Sequence, residues 1–300
     1  MKAQTKWGWL IAIYLFLAGL GGGAYIAGVL ADFAGLTTGI SQIGVFLGLP
    51  CVFLGCMFLI ADLGKPINFW RAYMKPRTSW IARGTIIITV FMIIDFIHII
   101  LWIWPFDLLA SAVGTRYFIN ILGLIFAFGT VIYTGLLLGA SRPIAFWSTA
   151  MLPLLFLVSA LSTGFMVVIL SSSVIGVPKE GLGLLERIDI ILIILEIFVI
   201  AFYLQATHRV SESRASAQLV LSGSVAPLFW FGVAVLGLLF PLLFDLIGLY
   251  GLSGSSAHIF ILLASVSGII GGLILRQVVL KGGIHAPLKS GRFEYGLTNV

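Results

Sequence analysis

The chain has 300 residues, 60% of them hydrophobic and only 9% charged, with a net charge of +6. A soluble domain of this length would be near half apolar and about a quarter charged, so that class is excluded. The basic balance is read as loops that fix topology and touch the lipid membrane, with no nucleic-acid partner.

Apolar stretches of about 20 residues recur along the sequence, long enough for helices to cross roughly 30 Å of hydrocarbon. They predict helices over 9–31, 43–61, 80–104, 117–138, 146–170, 187–206, 226–247 and 256–280. The short alternating segments of a membrane barrel are absent. The expected fold is therefore all-α: one integral membrane domain over residues 1–300, with eight transmembrane helices in two four-helix bundles.

The first stretch, from Trp9 to Ala31, lacks a small-residue cleavage site before a polar mature start and reads as a retained span. Its glycines Gly19, Gly21, Gly22, Gly23 and Gly28 allow close approach of neighbouring helices or of a flat ligand. With no preceding strand they are not a phosphate cradle. The second stretch holds both cysteines, Cys51 and Cys56, at a spacing that suits neither zinc nor an iron–sulfur cluster. The connection from Asp62 to Arg83 is the most basic, with Lys65, Arg71, Lys75, Arg77 and Arg83.

In the third helix Asp95 and His98 are three apart and share a face. Tyr14 and Tyr133 fall about a third of the way in from the side bearing the termini, where a phenol can donate to a carbonyl oxygen. Asp189 and Glu196 share a face of the sixth helix, and Arg276 lies toward the terminal side of the eighth. Ser211 to Gly223 reads as a polar linker, and Asp245 and His258 as water-solvated groups near the opposite surface. A faint parallel repeat relates 9–138 to 146–280: Leu15-Phe16-Leu17-Ala18-Gly19-Leu20 echoes Leu155-Phe156-Leu157-Val158-Ser159-Ala160, and both runs continue into small residues.

Eight spans put both termini on one side. That side carries 14 of the 17 basic residues, namely Lys2, Lys6, Lys65, Arg71, Lys75, Arg77, Arg83, Arg142, Arg209, Arg214, Arg276, Lys281, Lys289 and Arg292. The other carries Arg116, Lys179 and Arg187. By the positive-inside rule the terminal side is cytoplasmic.

A charged group in hydrocarbon costs roughly 2.5–3.5 kcal/mol even on the lenient insertion scale, so each needs a reason. For Asp95, His98, Glu196 and Arg276 two readings stand: a buried salt-bridge network that orients helices, or a proton relay. A b-haem needs two intramembrane histidines at matching depth, and only His98 and His258 approach that, near one face. Neither a haem nor a metal site is expected.

The run Tyr14-Leu15-Phe16-Leu17-Ala18-Gly19-Leu20-Gly21-Gly22-Gly23-Ala24 resembles the first helix of the NrfD/polysulfide reductase membrane-subunit family. Asp62-Leu63-Gly64-Lys65-Pro66 to Trp70, with Thr78-Ser79-Trp80-Ile81-Ala82-Arg83, resembles that family's loop between helices two and three. Tyr133-Thr134-Gly135 and Leu155 to Gly164 are similar to its fourth and fifth helices. The similarity spans nearly the whole sequence.

The resemblance implies a subunit that reacts with menaquinone or another quinone, with no haem or iron–sulfur cluster of its own. Its implied partners are a four-cluster iron–sulfur subunit and a molybdopterin catalytic subunit in a bacterial or archaeal cytoplasmic membrane. No residue here would act on the terminal substrate. The implied quinone site lies near the face bearing the termini, with Tyr133 bonding the headgroup and Asp62 the nearest carboxylate. Tyr14 stands where better-known members can place a histidine. Trp80 and Arg83 lie toward the same face, and Asp95, His98, Glu196 and Arg276 would extend a proton relay inward. The family arrangement puts the site-bearing face outside the cytoplasm, against the basic count; basic residues committed to a partner need not obey a rule for free loops. Two rival functions are a proton- or ion-coupled transporter, for which polar residues at broken helices are few, and a purely structural anchor.

Overall fold

The structure, a computed structural model, describes residues 4, 7–140, 143–177, 181–207, 211–251, 255–285, 288–290 and 293–295. Lys2, Lys6, Arg142, Lys179, Arg209 and Arg292 of the basic count lie outside the described residues, as do the side chains of His258 and Lys289. Among the described residues, eight helices are long and apolar enough to cross a membrane: Trp9–Phe33, Thr38–Ala61, Trp80–Trp102, Val113–Gly139, Met151–Ile175, Leu182–Ala206, Leu228–Tyr250 and Ile259–Lys281. They are numbered here as the first to eighth spans. The protein is a polytopic, all-helical membrane protein, apart from a small antiparallel hairpin that pairs Leu288–Ser290 with Phe293–Tyr295. The near face is the one where the first span begins at Trp9; the far face is where that span ends.

The first span is the hub. It packs against the second, fourth, fifth and eighth spans, and small residues make that possible. A Cβ on Gly28 would stand 2.7 Å from the Ser41 carbonyl and 2.8 Å from the Gly44 Cα. Gly23 sits against the Ala160 carbonyl and Gly164 of the fifth span, and Gly21 against Gly48, Cys51 and Val52 of the second. Lipid tails are as apolar as leucine, so such close van der Waals contact drives helix association in a membrane. All five glycines of the first span serve helix packing, and none opens a slot for a flat ligand.

Spans one to four contact one another in a ring: first with second, second with third, third with fourth, fourth with first. The fifth contacts the sixth and eighth, and the seventh packs on the sixth and eighth. The first and fifth spans join the two groups of four.

Several boundaries move outward from expectation for local reasons. The fourth span starts at Val113 and takes in Arg116. The sixth starts at Leu182, directly after Gly181 with φ 108°, and so includes Glu186. The fifth starts later than expected, at Met151, because the stretch after Pro143 turns back on itself first. There the Trp147 indole donates to the Val279 carbonyl at 2.9 Å and the Tyr203 hydroxyl to the Phe146 carbonyl at 2.8 Å. The seventh span is wide-turned, of π type, over Leu228–Leu239 and Ile247–Gly251, with a regular stretch Phe240–Leu246 between them.

Two expectations are corrected. Ser211–Leu221 is a helix rather than a polar linker. Its buried positions Ser213, Ser216, Ala217 and Val220 recur at helical spacing, which small serines and alanines satisfy without looking apolar in sequence. Asp245 is 4% exposed and not solvated at the surface, because the seventh span turns its carboxylate toward the sixth.

Candidate functional site

The near-face ends of four spans bring two tyrosines together. Tyr14 is 1% exposed and Tyr133 is 4% exposed. Each lies about 8–9 Å along its helix from the near-face end, at a 1.5 Å rise per residue. They are within electrostatic reach of each other, with Cys56 of the second span beside both. Glycines shape this corner. A Cβ on Gly84 of the third span would fall inside the Tyr133 ring, and Gly55 lets the second span approach the Tyr14 carbonyl. The Tyr133 hydroxyl reaches the Ile81 carbonyl only at 3.5 Å, a length at which little hydrogen-bond energy is gained. The Tyr14 hydroxyl makes no hydrogen bond among the described residues.

The other three residues expected at this face lie at its rim. The third span begins at Trp80, with the Ser79 hydroxyl accepting from the Ala82 amide as N-cap at 3.4 Å. The Arg83 guanidinium lies 4.9 Å from the Trp80 ring centre and donates to the Pro76 and Arg77 carbonyls at 2.9 and 2.7 Å. It therefore braces the loop instead of pointing into the tyrosine corner. Asp62 ends the second span and is exposed. The loop between them contains a short 3₁₀ helix, Pro66–Tyr73, that exposes Ile67, Phe69 and Trp70 beside Lys65 and Arg71.

The four residues considered for a relay separate into two clusters, one in each half. In the first half, the Tyr25 hydroxyl and His98 Nδ1 are 3.0 Å apart, and the His98 ring stacks on Trp102 at 5.1 Å. Asp95 is fully buried close to Tyr25 and Cys51. The Leu49 amide lies near it, yet neither carboxylate oxygen makes a well-aligned hydrogen bond among the described residues. Asp95 and His98 share a helix face but are not hydrogen-bonded to each other. Toward the far face Arg116 pairs with Asp32 at 3.1 Å, and Asn120 donates to the same carboxylate at 2.8 Å.

In the second half, Arg276 is completely buried. Its Nη1 donates to the Ser159 hydroxyl at 2.6 Å, and its guanidinium lies 4.6 Å from the Phe156 ring centre. Ser159 also hydrogen-bonds Glu196, which feels the guanidinium charge. Among the described residues Arg276 and Glu196 do not reach ion-pair distance; the pair found is Arg116 with Asp32. A buried salt-bridge network joining all four relay candidates is therefore not what these residues build. Sequence reasoning missed Tyr25, Ser159, Ser162, Asp32 and Asn120. Ser159 and Ser162 carried a signal, being hydroxyls three apart within an apolar helix, where side chains three apart face the same way. Among the described residues no three histidine, cysteine or acidic side chains are grouped to hold a metal.

Comparison with known proteins gives a consistent result. The family model described as "Polysulphide reductase, NrfD" matches residues 1–287. The protein is 28% identical to a polysulfide reductase chain of Wolinella succinogenes, over 92% of its own length and 94% of that relative's. It is 27% identical to protein NrfD of Escherichia coli, again over 92% and 94%. It is 23% identical to a selenate reductase subunit of Mesobacillus selenatarsenatis, over 96% of its own length and 76% of that relative's.

Proposed function

The chain belongs to the polysulphide reductase NrfD family, and from that membership we propose that it is the quinone-reactive membrane subunit of a respiratory oxidoreductase complex. In this reading it passes electrons between the menaquinone pool and an iron–sulfur partner, which serves a molybdopterin catalytic subunit. Relatives named as parts of polysulfide and selenate reductases support such a complex. The complex sits in a bacterial or archaeal cytoplasmic membrane, with both termini on the near face.

The observation that carries the reading is the tyrosine corner. Two buried phenols, one weakly engaged and one without a hydrogen bond among the described residues, lie side by side at one depth. A quinone headgroup presents carbonyl oxygens that such phenols can bond. When bound, the quinone supplies two-electron, two-proton redox chemistry. The protein's part is to hold the headgroup with Tyr14 and Tyr133 and to line the rim with Trp80 and Arg83. Asp62 offers a carboxylate in reach of water for proton exchange. The basic, partly apolar loop from Lys65 to Arg77 is the docking surface for the iron–sulfur subunit. Proton translocation would draw on Asp95, His98, Glu196 and Arg276.

Purification with native partners, followed by quinone extraction and visible spectroscopy, tests the assembly: iron–sulfur absorbance and bound menaquinone are expected. Tyr133→Phe in that complex should lower quinol-linked turnover at least about tenfold, a loss of roughly 1.4 kcal/mol of transition-state stabilisation. Unchanged turnover in an intact complex removes Tyr133 from the site. A stable lone protein that moves a solute and ignores quinols sinks the whole reading.

A further inference from the structure

The second half holds more buried acid than the relay candidates require. Glu186, Asp189 and Glu196 fall on one stripe of the sixth span, and Asp245 of the seventh span faces them. Each is at most 5% exposed. Hydroxyls from the fifth span fill the steps between them. Ser162 donates to Asp189 at 2.9 Å, and Ser159 bonds Glu196 while accepting from Arg276 at 2.6 Å. Between Ser162 and Glu196 lies a cavity of about 10 Å³, floored by Gly268, Gly271 and Gly272 of the eighth span. That is room for one water molecule.

Depth orders these groups. At 1.5 Å per residue, Glu186 and Asp189 stand about 6 and 10 Å in from the far-face end of the sixth span, and Glu196 about 21 Å in. Ser162 and Ser159 follow in the same order along the fifth span, the first bonded to Asp189 and the second to Glu196. The one long step, from Asp189 to Glu196, is where Ser162 and the cavity sit. At the inner end the Arg276 guanidinium rests against Gly19 of the first span, and its Nε has no hydrogen-bond partner among the described residues. A fully buried cation with a free donor is poised to hold a carboxylate that has given up its proton.

A structural polar seam could use the same serines, but it would not need so many carboxyls. Asp189 lies within electrostatic reach of Glu186, Glu196 and Asp245, and Glu196 within reach of the buried Arg276. A low-dielectric interior does not carry that excess of negative charge, so carboxyls of the stripe hold protons.

We propose that Asp245 and Glu186, Asp189, Ser162, Glu196 and Ser159 form a proton route from the far face to mid-membrane, with Arg276 closing its inner end. It rests on the reading above that places Glu196 and Arg276 in a relay. It adds the entry, the intermediate steps and the side of the membrane on which the route opens. Each hop breaks one O–H bond and forms another, with no change in oxidation state.

The test uses the complete complex reconstituted in vesicles with a quinol. In Asp189→Asn the protons moved per electron should fall by half or more, while electron transfer falls less than threefold; Asp189→Glu should restore the ratio. An assembled Asp189→Asn complex with the wild-type ratio overturns the route, as does a wild-type complex that moves no protons. Infrared spectra in D₂O give a second readout that needs no redox chemistry. Carboxyl bands assigned by their loss in Asp189→Asn and Glu196→Gln should shift within seconds, and bands unexchanged after hours overturn the route. If the wild-type complex has no quinone-linked electron transfer, the functional reading falls, and the infrared measurement alone decides the route.

Discussion

The two halves of the molecule treat buried polar groups differently. In spans one to four, around the glycine-packed first span, the buried Tyr25, Asp95 and His98 lie in the far part of the bilayer. There Tyr25 bonds His98, while both Asp95 oxygens and His98 Nε2 have no partner among the described residues. In spans five to eight, hydroxyls bond charged groups on either side of a small cavity, Ser162 with Asp189 and Ser159 with Glu196 and Arg276. The contrast teaches that one helical scaffold can serve two needs. The first half holds side chains in fixed positions at the near face, and the second keeps a polar seam through much of the membrane's depth.

The largest effect should come from breaking the tight half at its closest contact. Gly28→Leu drives a side chain into the Ser41 carbonyl and Gly44 Cα, both backbone atoms that cannot rotate away. We expect a loss of about 3 kcal/mol or more, at the upper end for overpacking, seen as little monodisperse protein after detergent extraction. Near wild-type recovery would mean the hub tolerates separation of its first two spans.

Next in size is the near-face corner. Gly84→Ala puts a methyl group inside the space of the Tyr133 ring and must turn that ring out. Quinol-linked turnover should fall about tenfold or more, roughly 1.4 kcal/mol in transition-state terms, while the complex still assembles. Gly129→Ala is the matched control, since its new methyl meets the Ile87 Cγ2 methyl at 2.9 Å and no part of Tyr133. Equal losses from the two would show that turnover follows packing and not the position of Tyr133.

Span number, helical class and family were legible because they rest on long apolar runs and on motifs kept in order. Tyr14 and Tyr133 could be paired from depth alone, since each lies a few residues from a helix end. What stayed hidden depends on rotation about the helix axis. Asp245 looked solvated because it stands near a span end, and only the packing of the seventh span on the sixth shows its carboxylate turned inward. The Ser211–Leu221 helix was hidden because small polar residues can line a buried face without looking apolar in sequence. Asp95 and Glu196 looked alike in sequence, both lone acids in apolar helices. The structure separates them by their neighbours: Glu196 has Ser159 and Arg276, and Asp95 has neither a cation nor a well-aligned donor among the described residues.

The smallest expected effects discriminate most sharply between the halves. Tyr25→Phe removes one hydroxyl that joins one partner, His98 Nδ1 at 3.0 Å, while the ring keeps its edge contact with Phe91 at 5.3 Å. Its cost should be about 1 kcal/mol, the net worth of one hydrogen bond. Ser159→Ala removes a hydroxyl shared by Glu196 and a buried cation. Bonds to charged groups contribute about 1.5–3 kcal/mol each, so its cost should be at least twice as large. Denaturant unfolding of the two variants in the same detergent measures the difference. A double-mutant cycle of Ser159→Ala with Glu196→Gln should show strong coupling, because the two side chains share a bond, whereas Tyr25→Phe with Asp95→Asn, neighbours that share no hydrogen bond, should show weaker coupling. Equal costs, or equal coupling, would mean that the polar groups of the second half are no more continuous than those of the first.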